Sequence, residues 1–207
     1  MNTAFSRLPA GSIFLCLIGV ALASSTPTLA AIDPHNLSDT EVALEDQTQS
    51  GKPGKSFLAA TIINAPMSKI CGEIQDFAQY PAFMPNTAKT SVTPGPDKTS
   101  LVDITLSLPL GKVKKYRLKM TPNVSAQQCR LEWKQQPWAG LKQEETIADT
   151  SGYWLLTPHP SSPNKTVVNY FVFTDPGPVP MGLGWIVDSM SRDSIPKMLA
   201  ALRQRVR

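Results

Sequence analysis

The stretch NYFVFTDPGPVPMGLGWIVDSM, residues 169–190, indicates how the rest of the chain folds. It begins with the branched and aromatic residues typical of a strand, and it then passes through a turn that contains three prolines. Residues 182–206 predict a long C-terminal helix that is kinked at Pro196, with an apolar stripe of Ile186, Val187, Met190, Ile195, Met198, Leu199 and Leu202. We therefore expect the strand and the helix to form two walls of one hydrophobic cavity, with the turn at its mouth.

Upstream of this stretch, residues 87–174 alternate between apolar and polar side chains, with turn signals between the alternating runs. The clearest run places Tyr116, Leu118 and Met120 on one face and Lys115, Arg117 and Lys119 on the other. One face is thus buried and the other is wet, as in an antiparallel meander. The same alternation predicts that Val102, Ile104, Leu106, Leu108, Leu131, Trp133, Trp154, Leu156, Val168, Tyr170 and Val172 face inward.

The folded region begins near Ser56 with FLAATII, residues 57–63, which predicts a strand rich in branched residues. Pro66 then marks a helix start, and the segment YPAFMP, residues 80–85, ends the helical pattern. The predicted fold class is α+β. A curved antiparallel sheet of about six to seven strands wraps around the long C-terminal helix, and two short helices follow the first strand.

The N-terminal residues 1–30 have the pattern of a secretory signal peptide: Arg7, an apolar run over residues 13–23, and small residues after it. The run is shorter than the about 20 residues that span a membrane. We expect cleavage after Ala23 or Ala30, and a periplasmic or secreted protein. Residues 31–55 are polar and predict a disordered tether, so that the folded domain covers residues 56–207.

Two cysteines, Cys71 and Cys129, remain after this cleavage, whereas Cys16 is removed with the signal peptide. We interpret the pair as two small buried residues that are not bonded, because a sequence does not show whether their Cα atoms lie within the about 7 Å that a bridge requires. A disulfide is the alternative, since an oxidising compartment would allow it.

The charge pattern argues against a nucleic-acid partner. The net charge is only +4, and no block of lysine and arginine occurs. The basic face of Lys115, Arg117 and Lys119 is interpreted as a solvated surface. Transient contact with a membrane that contains anionic lipid is the alternative.

Three local motifs resemble the START-like helix-grip superfamily, which includes polyketide cyclases, lipid-transfer domains and coenzyme Q-binding proteins. They are ATIINAPMSKICGEIQDFAQYPAFMPN in residues 60–86, SGYWLLTPHP in residues 151–160, and NYFVFTDPGPVPMGLGW in residues 169–185. The resemblance covers roughly residues 57–206. It implies a helix-grip fold around a cavity whose contents vary between members.

We predict that a ligand contacts apolar and aromatic residues of the cavity wall. These are Tyr80, Phe83, Ile104, Leu106, Tyr116, Leu118, Trp133, Trp154, Tyr170, Val172, Trp185 and Met190. Asp175, Pro176 and Gly177 are interpreted as a gate beside the cavity, with a rigid crossover as the alternative. Phe171 and Phe173 should face outward, where the tether, a second copy or a membrane would cover them.

Catalytic motifs are absent from the sequence, and we expect no metal and no cofactor. Asp103 and Glu132 fall on the wet face and are interpreted, like Glu145, as surface charges. The favoured function is an exported, non-enzymatic carrier of a lipid, an isoprenoid quinone or another hydrophobic small molecule. The alternatives are a polyketide cyclase or dehydratase acting on a bound substrate, and an interaction module that uses Phe171 and Phe173.

Overall fold

The computed structural model describes Met1, residues 36–178 and residues 192–207. Eight antiparallel strands form one sheet in the order β1-β2-β8-β7-β6-β5-β4-β3. The strands are β1 (Ala43–Asp46), β2 (Lys55–Ile63), β3 (Thr87–Pro94), β4 (Ser100–Ser107), β5 (Val113–Val124), β6 (Cys129–Gln136), β7 (Asp149–His159) and β8 (Ser162–Asp175). The helices are α1 (Met67–Gln75), α2 (Tyr80–Phe83) and α3 (Ser194–Arg205), and short 3-10 turns cover Phe77–Gln79, Pro109–Gly111 and Gln143–Glu145. The predicted α+β class is confirmed, with one strand more than the upper end of the predicted range.

The inner face of the sheet carries the apolar side chains that the alternation predicts. On β5, Leu118 and Met120 are buried, whereas Lys115 and Lys119 are exposed. The same holds on the neighbouring strands, where Val102, Ile104, Leu131, Trp133, Trp154, Leu156, Val168 and Tyr170 are buried. The alternation of an antiparallel meander is therefore confirmed.

The helix α1 begins directly after Pro66, whose missing N–H costs nothing at a helix start. Ile70, Cys71 and Ile74 form its buried face. After α1, the hydroxyl of Tyr80 donates a hydrogen bond to the carbonyl oxygen of Ile74 at 2.7 Å. This bond ties α2 to α1.

The C-terminal helix of the described residues is α3, whose buried face consists of Ile195, Met198, Leu199 and Leu202. These are four of the residues that the sequence predicts for the apolar stripe. Pro196 lies in the first turn of α3. Residues 179–191, where the predicted helix would begin, lie outside the described residues. Among the described residues, no helix has the length and the hydropathy needed to cross a membrane.

The segment predicted as a disordered tether contains a strand, so this prediction is wrong for its described part. β1 pairs with β2 from Ala43 opposite Ala60 to Asp46 opposite Phe57. Upstream of β1, the backbone N–H of Ile62 donates to the carbonyl oxygen of Ser38 at 3.0 Å. The segment is polar in composition, but the edge of β2 offers its backbone a partner, and Leu44 packs against the core.

A buried polar contact also holds this segment. The hydroxyl of Thr61 lies 3.0 Å from the carbonyl oxygen of Ser38 and 2.6 Å from that of Glu41. The same hydroxyl accepts a hydrogen bond from Arg203 on α3. Thr61 is fully buried, so these contacts satisfy polar groups that would otherwise be costly to bury. The N-terminal segment, β2 and α3 are thus joined at one point.

The outward-facing aromatic residues of β8 are covered in part by the chain itself. A Cβ atom on Gly54 would lie 2.7 Å from the ring of Phe173, so this glycine rests directly on the ring. Phe171 stacks on Tyr153 of β7, with 5.6 Å between ring centroids. Both phenylalanines are only half-buried. Of the three covers that the sequence suggests, the segment before β2 supplies the one over Phe173.

A disulfide joins Cys71 of α1 to Cys129 of β6, with 6.1 Å between the Cα atoms. The favoured interpretation of two unbonded cysteines is therefore wrong, and the alternative applies. The reason is the packing of α1 against the sheet, which brings together residues that are 58 positions apart in sequence. Both cysteines are also buried, as that interpretation expects.

Candidate functional site

A cavity of about 440 Å³ lies between the inner face of the sheet and α3. Nine of the twelve residues predicted to contact a ligand lie on its wall: Tyr80, Ile104, Leu106, Tyr116, Leu118, Trp133, Trp154, Tyr170 and Val172. They come from α2 and from strands β4 to β8.

The other three predicted residues are Phe83, Trp185 and Met190. Trp185 and Met190 lie outside the described residues. Phe83 is buried but packs elsewhere, which corrects the prediction. Its ring makes an edge contact with Tyr80 at 5.5 Å between centroids, and the guanidinium of Arg205 lies 5.2 Å from its centroid. The Phe83 ring therefore packs against Tyr80 and Arg205. Of the two predicted residues on α2, Tyr80 lines the cavity and Phe83 does not.

The predicted gate loop lies at one end of the cavity. Pro176 lies on the wall together with Pro178. Gly177 has a φ of +76°, and its N–H donates to the carboxylate of Asp175 at 2.9 Å. The carbonyl oxygen of Asp175 also accepts a hydrogen bond from the backbone of Ala148 at 2.9 Å. The described part of the loop is therefore tied to the segment before β7, and its opening stays a prediction.

Two indoles enclose Tyr170 on the cavity wall. The ring of Trp133 stacks on Tyr170 at 5.5 Å, and the ring of Trp154 lies 4.5 Å from it. All three residues are at least nine-tenths buried. Such a cluster presents a large, rigid apolar surface with few rotatable bonds, which suits contact with a hydrophobic molecule.

Three tyrosines, Tyr80, Tyr116 and Tyr170, lie on the cavity wall. Burial raises the pKa of each hydroxyl far above its usual value of 10. A negative charge on Tyr170 or Tyr116 would raise the pKa of Tyr80 further, and one on Tyr116 would raise the pKa of Tyr170. All three hydroxyls are therefore neutral hydrogen-bond donors at physiological pH.

The wall also contains polar residues that the sequence reasoning missed, notably Lys114, Glu144 and Thr150. Burial lowers the pKa of Lys114, although Glu144 opposes this shift, and its ammonium donates to the carbonyl oxygen of Thr146 at 2.6 Å. A signal for Lys114 was present in the sequence. It lies two residues before Tyr116 and therefore on the same face of β5.

The cavity rim carries exposed apolar side chains at the connection between β4 and β5. Leu110 is 75% exposed with a φ of 62°, and Val113 is 50% exposed. Both line the cavity, as does Lys112, and Lys112 and Lys115 are exposed beside them. We call Leu110, Lys112, Val113 and Lys115 the rim hairpin.

Of the acidic residues considered in the sequence, Asp103 is half-buried, and Glu132 and Glu145 are exposed. Asp103 pairs with Arg117 through two hydrogen bonds of 2.6 and 2.8 Å, and Glu132 pairs with Arg130 at 2.6 Å. Glu145 caps the turn that begins after Lys142. In the described part of the chain, no cluster of three or more His, Cys, Asp and Glu residues could hold a metal ion.

No family model matches this sequence, and no curated protein is similar to it. Solved structures nevertheless share its fold. A STAR-related lipid transfer protein from Xanthomonas axonopodis aligns with a TM-score of 0.68 and 17% sequence identity, over 80% of this chain and 93% of that chain. Human StAR-related lipid transfer protein 5 aligns with a TM-score of 0.65 and 14% identity, over 80% and 81% of the two chains.

A third structure, the Zhui aromatase/cyclase from a Streptomyces species, aligns with a TM-score of 0.55 and 12% identity, over 80% of this chain and 94% of that chain. A START superfamily protein from Mycobacterium smegmatis aligns with a TM-score of 0.57. At such identities the likeness concerns the fold. The fold that the three sequence motifs imply is confirmed: this chain has the START-like helix-grip fold.

Proposed function

We propose that the protein binds and carries a lipid, an isoprenoid quinone or another hydrophobic small molecule in its internal cavity. The observation that carries this proposal is the cavity of about 440 Å³, whose inner wall consists mainly of apolar and aromatic side chains. Ligand sites in proteins commonly have volumes of about 300–1,000 Å³ and a mostly apolar lining with a few polar groups. A hydrophobic ligand gains roughly 0.8 kcal/mol for each CH₂ group that it buries there.

The structural neighbours support a ligand of this kind. Two of them are described as lipid transfer proteins, and their folds match most of this chain. The proposal that this chain holds a lipid or a quinone rests on that likeness together with the apolar wall.

We propose further that the protein acts after export, in the periplasm or outside the cell. The signal pattern of residues 1–30 supports export. The disulfide between Cys71 and Cys129 supports it independently, because disulfides persist mainly in oxidising compartments. Sequencing of the N-terminus of the exported protein tests this proposal. A mature chain should begin at Ser24 or Ala31.

The rim hairpin supports transient contact with a membrane. Leu110 and Val113 expose apolar surface at the cavity rim, and Lys112 and Lys115 place positive charge beside it. Apolar side chains next to lysines suit an interface with anionic lipid, where each basic residue contributes about 1 kcal/mol near the surface. Docking there would bring the cavity close to the source of a hydrophobic ligand.

The first experiment for the carrier function is native mass spectrometry of the exported protein, followed by organic extraction of whatever is bound. We expect a stoichiometric, chemically unchanged hydrophobic molecule. Trp133→Ala and Trp154→Ala should lose it, and Tyr153→Ala on the outer face should keep it. A protein that is empty, and that stays empty after incubation with a membrane lipid extract, would contradict the proposal.

A second candidate is an aromatase or cyclase that folds a reactive chain inside the cavity. The fold shared with the Zhui aromatase/cyclase favours it. The same extraction separates the two candidates, because an enzyme would release a product whose mass or absorption differs from that of the molecule supplied.

A further inference from the structure

Polar side chains of the cavity wall gather at one end of the sheet. Thr174, near the end of β8, lies opposite Lys55 at the start of β2 and opposite Thr150 near the start of β7. The ammonium of Lys114, near the start of β5, donates to Thr146 in the segment before β7. Antiparallel neighbours place the end of one strand beside the start of the next, so these residues share one end of the sheet. We call Lys55, Lys114, Thr150 and Thr174, which all line the cavity, the polar end.

The polar end adjoins the mouth of the cavity. β8 runs from Thr174 into the predicted gate loop, and Lys114 follows directly after Val113 of the rim hairpin. Trp154 and Tyr170, which lie opposite each other on β7 and β8, are further from this end of the sheet. A ligand that extends from the indoles to the mouth therefore passes the polar end.

The charged residues of the described wall are unequal in sign. Three are cationic, Lys55, Lys112 and Lys114, and one is anionic, Glu144. Lys112 and Glu144 are exposed, so water and salt screen their charges, whereas Lys114 is half-buried. The excess of positive charge favours a ligand that brings negative charge to the mouth.

The ammonium of Lys114 is held in place and keeps donors for a ligand. It donates to the carbonyl oxygen of Thr146 at 2.6 Å, and this is one of the three hydrogen bonds that an ammonium can donate. Burial lowers the pKa of Lys114, and Glu144 opposes this shift only in part. The surroundings therefore compensate the charge incompletely, and an anion beside it would stabilise the charged form.

We propose that the ligand is an amphiphile with an acidic headgroup, a carboxylate or a phosphate, and that the ammonium of Lys114 binds this headgroup. This inference rests on the proposed function and names the chemical class of its ligand and the residue that selects it. The apolar part of the ligand lies against Trp133 and Trp154. A neutral ligand of the same length gains no charge pairing at Lys114.

The test compares decanoate with 1-decanol, which carry alkyl chains of the same length and differ in the charge of the headgroup. Their dissociation constants are measured at neutral pH by equilibrium dialysis with delipidated protein. We expect decanoate to bind roughly tenfold more tightly than decanol, since a hydrogen bond to a charged group contributes at least about that factor. Decyl phosphate, measured in the same way, shows which of the two acids the site prefers.

Substitutions at the mouth test the role of Lys114. Lys114→Met removes the charge but keeps an apolar chain, so it should abolish the preference for decanoate and leave decanol binding unchanged. Lys114→Arg should keep the preference. Glu144→Gln removes the opposing charge and should strengthen decanoate binding by roughly two- to threefold. The matched control is Lys119→Met, which removes the same charge from the exposed outer face of β5 and should have no effect.

Circular dichroism of each variant establishes that it is folded. A wild type that prefers neither acid to decanol, or a preference that survives in Lys114→Met, would overturn the inference and leave the carrier function standing. Failure of decanoate, decyl phosphate and decanol all to bind would overturn the carrier function as well.

Discussion

The indole of Trp133 on β6 lies directly over the backbone of Gly152 on β7, where a Cβ atom would overlap the ring. The two residues are opposite each other in the sheet. The missing side chain of Gly152 leaves the space that the indole occupies, and from there Trp133 stacks on Tyr170. The shape of the aromatic wall therefore depends on a residue with no side chain.

Gly152→Ala should displace the Trp133 ring, because the new methyl group would also overlap the carbonyl oxygen of Phe171. We expect the free energy of unfolding to fall by about 1–3 kcal/mol, as for other overpacked sites, and the near-UV circular dichroism of the indoles to change. Urea unfolding measures the first effect. The matched control is Gly72→Ala on the exposed side of α1, where a methyl group meets nothing within 4 Å. This control should stabilise the helix by roughly 0.5–1 kcal/mol. Equal effects of the two substitutions would show that the Trp133 indole does not depend on the space left by Gly152.

Reduction of the disulfide should destabilise the domain without unfolding its sheet. The bridge closes a loop between positions 58 apart, and loss of such a cross-link typically costs about 2–4 kcal/mol. Urea unfolding with and without dithiothreitol measures the difference. The double variant Cys71→Ala with Cys129→Ala should match the reduced wild type and should not respond to dithiothreitol. A wild type whose stability is the same in both conditions would show that the bridge does not form.

The carboxyl group of Asp39 should titrate below its ordinary pKa of 3.8. The hydrogen bond from Asn64 is the main cause of the lowered pKa, and Lys165 adds a hydrogen bond and a favourable charge. Because the folded-state pKa lies below the unfolded one, the contribution to stability is present above the unfolded pKa and is lost as the pH falls through the folded pKa.

Carbon-13 NMR titration of the Asp39 carboxyl tests this prediction. Asn64→Ala and Lys165→Ala should each move the midpoint toward the ordinary value, because each removes a contact that lowers the pKa of Asp39. A wild-type midpoint at or above 3.8 would contradict the contacts that hold the N-terminal segment.

The rim hairpin should control binding to membranes. The double variant Leu110→Asn, Val113→Thr should bind vesicles of phosphatidylcholine and phosphatidylglycerol at least roughly tenfold more weakly. Each substitution removes an exposed apolar side chain, and with it the favourable free energy of moving that side chain from water into the membrane interface. Asparagine is chosen at position 110 because it tolerates a positive φ. Vesicle sedimentation measures the binding. The control Val124→Thr changes an equally exposed valine at the opposite end of β5 and should have no effect. An unchanged affinity of the hairpin variant would contradict membrane contact at this site.

The sheet could be predicted from sequence because its inner face is buried and its outer face is wet. The difference is visible in the residue types of β5, where the inner face carries Tyr116 and Leu118 and the outer face carries Lys115 and Lys119. The same alternation places Lys114 on the inner face, where a lysine is not expected. The structure explains its presence, because its ammonium donates a hydrogen bond to the carbonyl oxygen of Thr146. The missed polar residues of the wall therefore belong to strand positions whose environment the pattern alone does not reveal.

Contacts between distant residues were harder to predict. The polar segment around β1 is ordered by the free edge of β2 and by Thr61 and Arg203, none of which its own composition reveals. The disulfide likewise depends on how α1 packs on the sheet, and Phe83 points into the core because Arg205 and Tyr80 surround it. The local sequence pattern thus predicts which face of a strand is buried, whereas contacts between residues distant in sequence depend on tertiary packing.

The most direct test of a ligand-binding cavity is to fill the cavity and measure uptake. Val172→Trp and Leu106→Trp each place an indole into the space from a different strand, β8 and β4, whereas Phe171→Trp adds the same group on the outer face. Native mass spectrometry follows uptake of a hydrophobic molecule from a membrane lipid extract by each folded variant. The account predicts that the wild type and Phe171→Trp gain the mass of one bound molecule and that the two cavity variants gain none. Equal uptake by the filled variants, or no uptake by the wild type, would contradict it.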